Sequence, residues 1–187
     1  MMEKSIHKLD NFINEIINYS RNSRIEVSQE EVDIDIIVKE TMEGLKFLEG
    51  YTELEKKVYI EQKAPFFSDE FRLKIILNNL LSNAIKYCSM LVPDPYVIIH
   101  IHIDEKNALI KFTDNGMGIG EESKDKIFNM FYRASEISKG SGIGLYIVKD
   151  AVGALKGKIS VQSQLGKGTS FMVELPNYVS QEGELLL

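Results

Sequence analysis

The stretch RLKIILNNLLSNAIKY at residues 72–87 constrains the fold more than any other, because it carries two unlike stripes on one helix. Leu73, Ile76, Leu77, Leu80, Leu81, Ala84 and Ile85 recur at three- and four-residue steps, so one face must be buried. Asn79, Asn83 and Lys86 share a second stripe at the same helical spacing. Asparagine is an indifferent helix former, and a face needing only solubility would carry Glu or Lys. Two amides one turn apart beside a cation therefore mark a site.

The apolar face of this helix needs a layer to lie on, and the strand pattern supplies one. Residues 97–103 and 108–113 alternate and are joined by the turn Asp104-Glu105-Lys106-Asn107, which predicts an antiparallel hairpin. Residues 158–164 and 168–175 predict a second, turning at Leu165-Gly166-Lys167. Residues 30–34 and 57–62 read as further strands, and 36–48, 124–129 and 143–155 as helices. Ser68 or Asp69 can cap the helix that begins near Arg72. Hairpins interleaved with helices predict an α+β fold: a two-layer sandwich of a mixed, mostly antiparallel sheet with helices on one face.

A long N-terminal helix precedes that sandwich. In residues 1–27, Ile6, Leu9, Ile13 and Ile16 follow alternating three- and four-residue steps, flanked by Phe12, Ile17 and Tyr19, a seam for another helix. The chain thus divides into a helical segment at 1–29, a sandwich domain at 30–176 and a loose tail at 177–187.

Composition excludes several classes. A net charge of −6 and a pI near 5.2 argue against a nucleic-acid surface. The single cysteine, Cys88, excludes an internal disulfide and suits a reduced, cytoplasmic setting. No apolar run reaches membrane-spanning length, and residues 1–10 are too charged for a signal peptide. His100 and His102 share one face of a strand without a third ligand, so they read as a polar sheet face.

Two glycine-rich stretches carry the chemistry. Asp114-Asn115-Gly116-Met117-Gly118-Ile119-Gly120 follows a strand directly. Each glycine costs roughly 0.5–1 kcal/mol of backbone freedom relative to alanine, so three in so short a span are too many for a plain turn. They suit a backbone that passes close to a ligand, with the carboxylate at the strand end accepting from an amino group. Gly140-Ser141-Gly142-Ile143-Gly144-Leu145 opens a helix, where unpaired N–H groups and the positive dipole end suit phosphate. It is neither a Rossmann fingerprint nor a P-loop, because no strand closely precedes it and Lys149 lies too far down the helix. Between the two stretches lies Ile127-Phe128-Asn129-Met130-Phe131-Tyr132-Arg133, whose guanidinium can reach phosphate oxygens.

The order of an Asn-rich helix, DNGMGIG, IFNMFYR, GSGIGLYIVK and GKGTSF resembles the ATP-binding domain of sensor histidine kinases, in a superfamily shared with gyrase-type and mismatch-repair ATPases. The resemblance covers residues 32–176, and residues 1–27 resemble the second helix of that family's dimerisation and phosphotransfer hairpin. It implies ATP and Mg²⁺ as cofactors, with Asn83 holding the metal and Asn79 lining the same site. Lys86 and Tyr87 would flank the nucleotide, Lys86 neutralising phosphate together with Arg133. Asp114 would bond the adenine amino group, supported by Thr169, with Gly116, Gly118 and Ile119 shaping the turn past the base. Gly140, Ser141, Gly142, Gly144 and Leu145 would form the lid over the phosphates. The implied partners are an upstream phosphoacceptor helix, a response-regulator receiver domain and a second copy in a full-length homodimer, with no nucleic acid. The full-length protein would be cytoplasmic or tethered to a membrane from the cytoplasmic side.

Two departures stand out. Ser141 stands where the family often has Thr. No His-Glu-x-x-Arg acceptor box occurs, since His7 precedes Lys8, so the acceptor helix is expected upstream of Met1. Hydrolytic relatives commonly carry a Glu one turn before the metal-binding Asn, able to activate water. Asn79 cannot do that, which favours transfer to a histidine over a gyrase-like ATPase. A degenerate nucleotide-binding interaction module is the third reading, opposed by the intact Asn83, Asp114 and glycines.

Overall fold

The computed structural model describes residues 13, 16–17, 20, 22, 24–88, 92–134 and 141–178. Strands β1 (Glu30–Glu31), β2 (Glu55–Gln62), β3 (Phe67–Ser68), β4 (Tyr96–Ile103), β5 (Asn107–Asp114), β6 (Lys158–Gln164) and β7 (Gly168–Pro176) interleave with helices α1 (Ile34–Gly44), α2 (Glu70–Cys88), α3 (Glu121–Lys124) and α4 (Gly144–Ala154). The main sheet runs β2-β4-β5-β7-β6. The chain leaves β2, crosses the sheet through α2 and returns alongside as β4, which makes that one pair parallel. The other three pairs are antiparallel, as the mixed sheet requires. β1 and β3 form a separate two-stranded ribbon.

One face of the sheet is covered. Val97, Ile99, Ile101 and Ile103 on β4, Ala108, Ile110 and Phe112 on β5, and Phe171, Val173 and Leu175 on β7 are all buried. They meet α2, whose seven apolar-stripe residues are each no more than 4% exposed. Burying a Leu or Ile side chain is worth about 1.5–3 kcal/mol, so this interface dominates the stability of the domain. α1 and α4 pack on either side of α2, α4 through Ile147, Val148, Ala151 and Val152. The alternate residues of the sheet face outward, among them His100 and His102. His100 stacks on Tyr59 with centroids 4.9 Å apart, and His102 Nδ1 lies 3.0 Å from Glu61 Oε2.

Several element bounds differ from the sequence reading, for local reasons. The strand expected over 30–34 stops at Glu31, because Asp33 caps α1 by accepting from the Ile36 N–H at 3.0 Å. The helix expected over 124–129 is α3 at Glu121–Lys124, where Glu121 and Glu122 in the first turn suit the dipole. It ends because the Ser123 carbonyl accepts from both Lys126 and Ile127, and the chain continues in turns. Asp69, one of the two expected caps, accepts from the Arg72 N–H at 2.8 Å.

The start of the expected loose tail is pinned. Asn177 is buried, its amide bonding Phe67 N–H and the carbonyls of Pro65 and Asp104, and the Tyr178 hydroxyl donates to Leu155 O at 2.8 Å. Residues 179–187 lie outside the described residues.

Near the N-terminus, Ile13, Ile16, Ile17, Ser20, Asn22 and Arg24 are helical, and the chain bends at Ile25, before the expected end at Val27. Ile13, Ile16 and Ile17 stay 44–48% exposed. Ile6, His7, Leu9, Phe12 and Tyr19 lie outside the described residues, as does the Cys88 side chain.

The end of that helix is held on the domain by a buried cluster. The Arg72 guanidinium, 1% exposed, pairs with Asp69 at 2.5 Å and donates to the carbonyls of Asn22 at 2.9 Å and Ile25 at 2.6 Å. Asp69 also accepts from the Ser28 N–H at 3.0 Å. A guanidinium thus satisfies carbonyls left over at a helix C-terminus. The sequence reading missed this role of Arg72.

Candidate functional site

The C-terminal half of α2, the end of β5 and the start of α4 enclose a cavity of about 370 Å³. From α2 come Asn79, Asn83, Lys86 and Tyr87. Asp114, Gly118 and Ile119 enter from the loop after β5, and Thr169 from β7. Arg133, Ser141, Gly142, Gly144 and Leu145 close the remaining side. Gly116 does not line it, and Gly140 lies outside the described residues together with 135–139.

The sheet end of the cavity is apolar with one acid. Phe112 and Phe171 face each other across β5 and β7, and two residues on, Asp114 pairs with Thr169 in the same ladder. Burial pushes the Asp114 carboxyl up to about 6, while the N–H groups of Gly116 and Thr169 pull it back down. The Gly116 N–H lies 2.8 Å from Asp114 Oδ1. Met117, Ile127 and Leu165 add apolar wall. A flat apolar slot with a single carboxylate suits a heteroaromatic ring that offers an amino group.

The α2–α4 end suits anions. α4 has no side-chain cap on its N-terminus, so its first N–H groups and positive dipole end face the cavity at Gly144 and Leu145. Asn79 Nδ2 donates back to Ile75 O at 2.8 Å, which turns Oδ1 toward Gly144. A Cβ on Gly144 would sit 2.8 Å from that oxygen, so the glycine lets the two helices close up. Lys86 and Arg133 bring positive charge to the same space.

Among the described residues no group of three His, Cys, Asp or Glu side chains could hold a metal ion. Asn83 on the cavity wall fits Mg²⁺ in a different way. That ion keeps several waters and takes phosphate oxygens, so one neutral amide oxygen suffices on the protein side.

The glycines of the loop after β5 also serve the packing of the chain on itself. A Cβ on Gly116 would lie 2.7 Å from Tyr87 O, and one on Gly118 (φ +68°) 2.0 Å from Gln164 O. They admit other backbone of this chain at close range. The loop is clamped between Tyr87 O, which accepts from Met117 N–H at 3.1 Å, and Gly166 N–H, which donates to Met117 O at 2.7 Å. Gly142 serves in the same way: its φ is +76°, its carbonyl accepts from Phe131 N–H at 3.0 Å, and a Cβ would meet the Phe131 carbonyl carbon at 2.8 Å. Phe131 and Gly142 are thereby held side by side.

Three residues escaped the sequence reading. Tyr132 donates to the buried Ser123 hydroxyl at 2.9 Å and lines the cavity, and Glu122 brings a second carboxylate to it. Ser163, on β6, touches Ile119, Gly168 and Thr169 from outside the cavity. A serine in an alternating strand carries no local signal of such a role.

Comparison with known proteins agrees with this geometry. Residues 68–179 match the family described as histidine kinase-, DNA gyrase B-, and HSP90-like ATPase. The chain is 29% identical over 180 residues to the methanogenesis regulatory histidine kinase FilI of Methanothrix harundinacea, covering 94% of this chain and 20% of that protein. It is 31% identical over 176 residues to the sensor-like histidine kinase SenX3 of Mycobacterium tuberculosis, covering 91% of this chain and 42% of that one. The chain therefore spans less than half the length of these relatives. Among solved structures it superposes on full-length ShkA in complex with AMPPNP with a TM-score of 0.78 and 25% identity, over 94% of this chain and 37% of that chain. The mycobacterial sensor histidine kinase MprB gives 0.67 and 27%, over 79% and 97%. With the family matched across the whole cavity-forming region, this chain belongs to the histidine kinase-, DNA gyrase B- and HSP90-like ATPases.

Proposed function

We propose that the chain is the ATP-binding catalytic core of a sensor histidine kinase, which moves the γ-phosphoryl group of Mg-ATP to a histidine on a helical hairpin. The observation that carries this reading is the convergence of Asn79 and Asn83, the uncapped N-terminus of α4 and the buried Asp114 on one cavity. Asp114 accepts from the adenine amino group, with Thr169 beside it, and Phe112 and Phe171 exclude water from the ring. The N–H groups of Gly144 and Leu145 receive phosphate oxygens, and Lys86 and Arg133 neutralise charge there. Asn83 offers its amide oxygen to Mg²⁺, which supplies neutralisation of charge on the triphosphate. Transfer forms a bond from an imidazole nitrogen to the γ-phosphorus and breaks the bond to the β–γ bridging oxygen, so ADP leaves. The protein's share is positioning and electrostatics.

The exposed row Ile13, Ile16 and Ile17 supports the N-terminal helix as half of the hairpin, completed by an acceptor helix and a second copy. A response-regulator receiver domain then takes the phosphoryl group. Among the described residues no helix is long and apolar enough to cross a membrane. Use of ATP fits a domain that works in the cytoplasm.

The test is calorimetry with AMPPNP, with and without Mg²⁺, followed by phosphorylation of a supplied hairpin carrying the acceptor histidine. Mg²⁺-dependent binding and acid-labile label on the hairpin are expected. Binding with steady ATP hydrolysis and no transfer would favour the gyrase-like reading, and no binding a degenerate module.

A further inference from the structure

Ser163 lies outside the cavity, yet its hydroxyl joins three parts of the cavity's sheet end. Oγ accepts from the Ile119 N–H at 2.8 Å, lies 2.8 Å from Gly168 O and lies 2.9 Å from Thr169 Oγ1. A hydroxyl has one proton to give. Gly168 O is a carbonyl and can only accept, so a hydroxyl oxygen 2.8 Å from it needs its proton between them, whereas the contact with Thr169 can be donated from either side. The Ser163 proton therefore goes to Gly168 O. The contact between the two hydroxyls must then be donated by Thr169, whose proton points away from the cavity and whose remaining lone pairs face it.

We propose that Ser163 is a positioning residue for base selectivity: by accepting from the Thr169 hydroxyl it makes the Asp114–Thr169 wall an acceptor-only surface, which selects 6-aminopurine over 6-oxopurine nucleotides. Asp114 contributes acceptors to the same wall, its carboxylate already receiving the N–H groups of Gly116 and Thr169. A 6-amino group brings two donors to these oxygens. A 6-oxo group brings only lone pairs, so at position 6 these oxygens lose both donors. Without Ser163, the Thr169 hydroxyl turns and donates into the cavity, where a 6-oxo group accepts it. This inference rests on the sheet end of the cavity being the base site, as proposed above.

The experiment measures dissociation constants of Mg-ATP and Mg-ITP, which differ at purine position 6 and in the N1 proton that accompanies the 6-oxo group, for the wild type, Ser163→Ala, Ser163→Thr and Thr169→Val. Wild type should prefer ATP. Ser163→Ala should lower the ATP-over-ITP ratio at least fivefold, Ser163→Thr should restore it, and Ser163→Ala added to Thr169→Val should leave the ratio of the single Thr169→Val unchanged. A merely structural role would weaken both nucleotides equally, and an unchanged ratio in Ser163→Ala overturns the inference. If Ser163→Ala does not fold, Ser163→Cys, which keeps size with a poorer acceptor, must show the same fall, and an unchanged ratio there is equally fatal. Failure of the wild type to bind either nucleotide would instead overturn the base-site reading itself, and this inference with it.

Discussion

Asn22 donates through Nδ2 to Asp150 Oδ2 at 2.7 Å, tying the end of the N-terminal helix to the middle of α4 across 128 residues of sequence. The same residue gives its carbonyl to Arg72 on α2. α2 and α4 each carry one end into the cavity and another part into this junction, so the N-terminal helix rests on the two helices that shape the candidate site.

Removing one member of the junction should be costly. In Arg72→Leu, Asp69 stays buried without its cation, and the carbonyls of Asn22 and Ile25 lose their donor. Breaking a buried pair costs about 3–5 kcal/mol. Denaturant unfolding should show a loss in that range, and limited proteolysis should cut faster near residues 24–28. A loss near zero would mean that solvent replaces the guanidinium at no cost.

Asp114 sets a pH dependence of both stability and binding. Its carboxyl is pushed up to about 6 from an ordinary 3.8. Because the folded value is raised, the stability it contributes is full below about pH 4 and is lost as pH rises through 6. The cost of holding the carboxylate above that is on the order of 3 kcal/mol. Asp114→Asn should therefore make the nucleotide-free domain about 1–2 kcal/mol more stable at pH 8, with little gain at pH 4, while ATP binds more weakly by one charged hydrogen bond, about 1.5–3 kcal/mol. In the wild type, ATP affinity should rise between pH 5 and 7 with release of a proton. Thermal unfolding and calorimetry in buffers of different ionisation enthalpy measure these effects.

Gly118 and Gly166 separate close approach from backbone angle. Both have positive φ, +68° and +77°, but a Cβ on Gly118 would lie 2.0 Å from Gln164 O, and one on Gly166 would meet nothing within 4 Å. Gly166→Ala should cost only the left-handed penalty, about 1–2 kcal/mol. Gly118→Ala should cost several kcal/mol more, and it should displace the loop after β5 and weaken ATP binding. Equal costs in denaturant would show that the loop yields freely.

Asn83→Asp should reduce Mg²⁺-dependent ATP affinity about tenfold, roughly 1.4 kcal/mol, by misplacing the metal while the fold persists. The readout is the ratio of affinities with and without Mg²⁺ in wild type and variant. An unchanged ratio would remove Asn83 from the metal site.

His100 and His102 should take no phosphate from ATP. They project from the outward face of β4, and the sheet separates them from the cavity on its helix-covered face. Peptide mapping of the chain incubated with Mg-ATP under alkaline conditions should find neither residue modified.

Sequence alone determined whatever is periodic or local. The buried stripe of α2, the two hairpins and the one-face sandwich follow from apolar spacing, because burial at a three-to-four or a two-residue period needs no knowledge of distant residues. Asn79, Asn83, Asp114 and Gly144, which line the cavity, were legible as candidates because amides on a helix face, an acid at a strand end and glycine at a helix start are unusual where they stand. Tertiary structure alone decided what depends on which backbone meets which. In the sequence Gly116 and Gly118 read for a ligand alone, and the close approach of Tyr87 O and Gln164 O, which lie far off along the chain, is not foreseen there. Arg72 reads as the first residue of a helix but caps another helix across the junction, and Ser163 reads as one polar position in a strand but orients Thr169. A hydrogen bond acts over about 3 Å in space at any separation along the chain, so these roles leave no trace in local pattern.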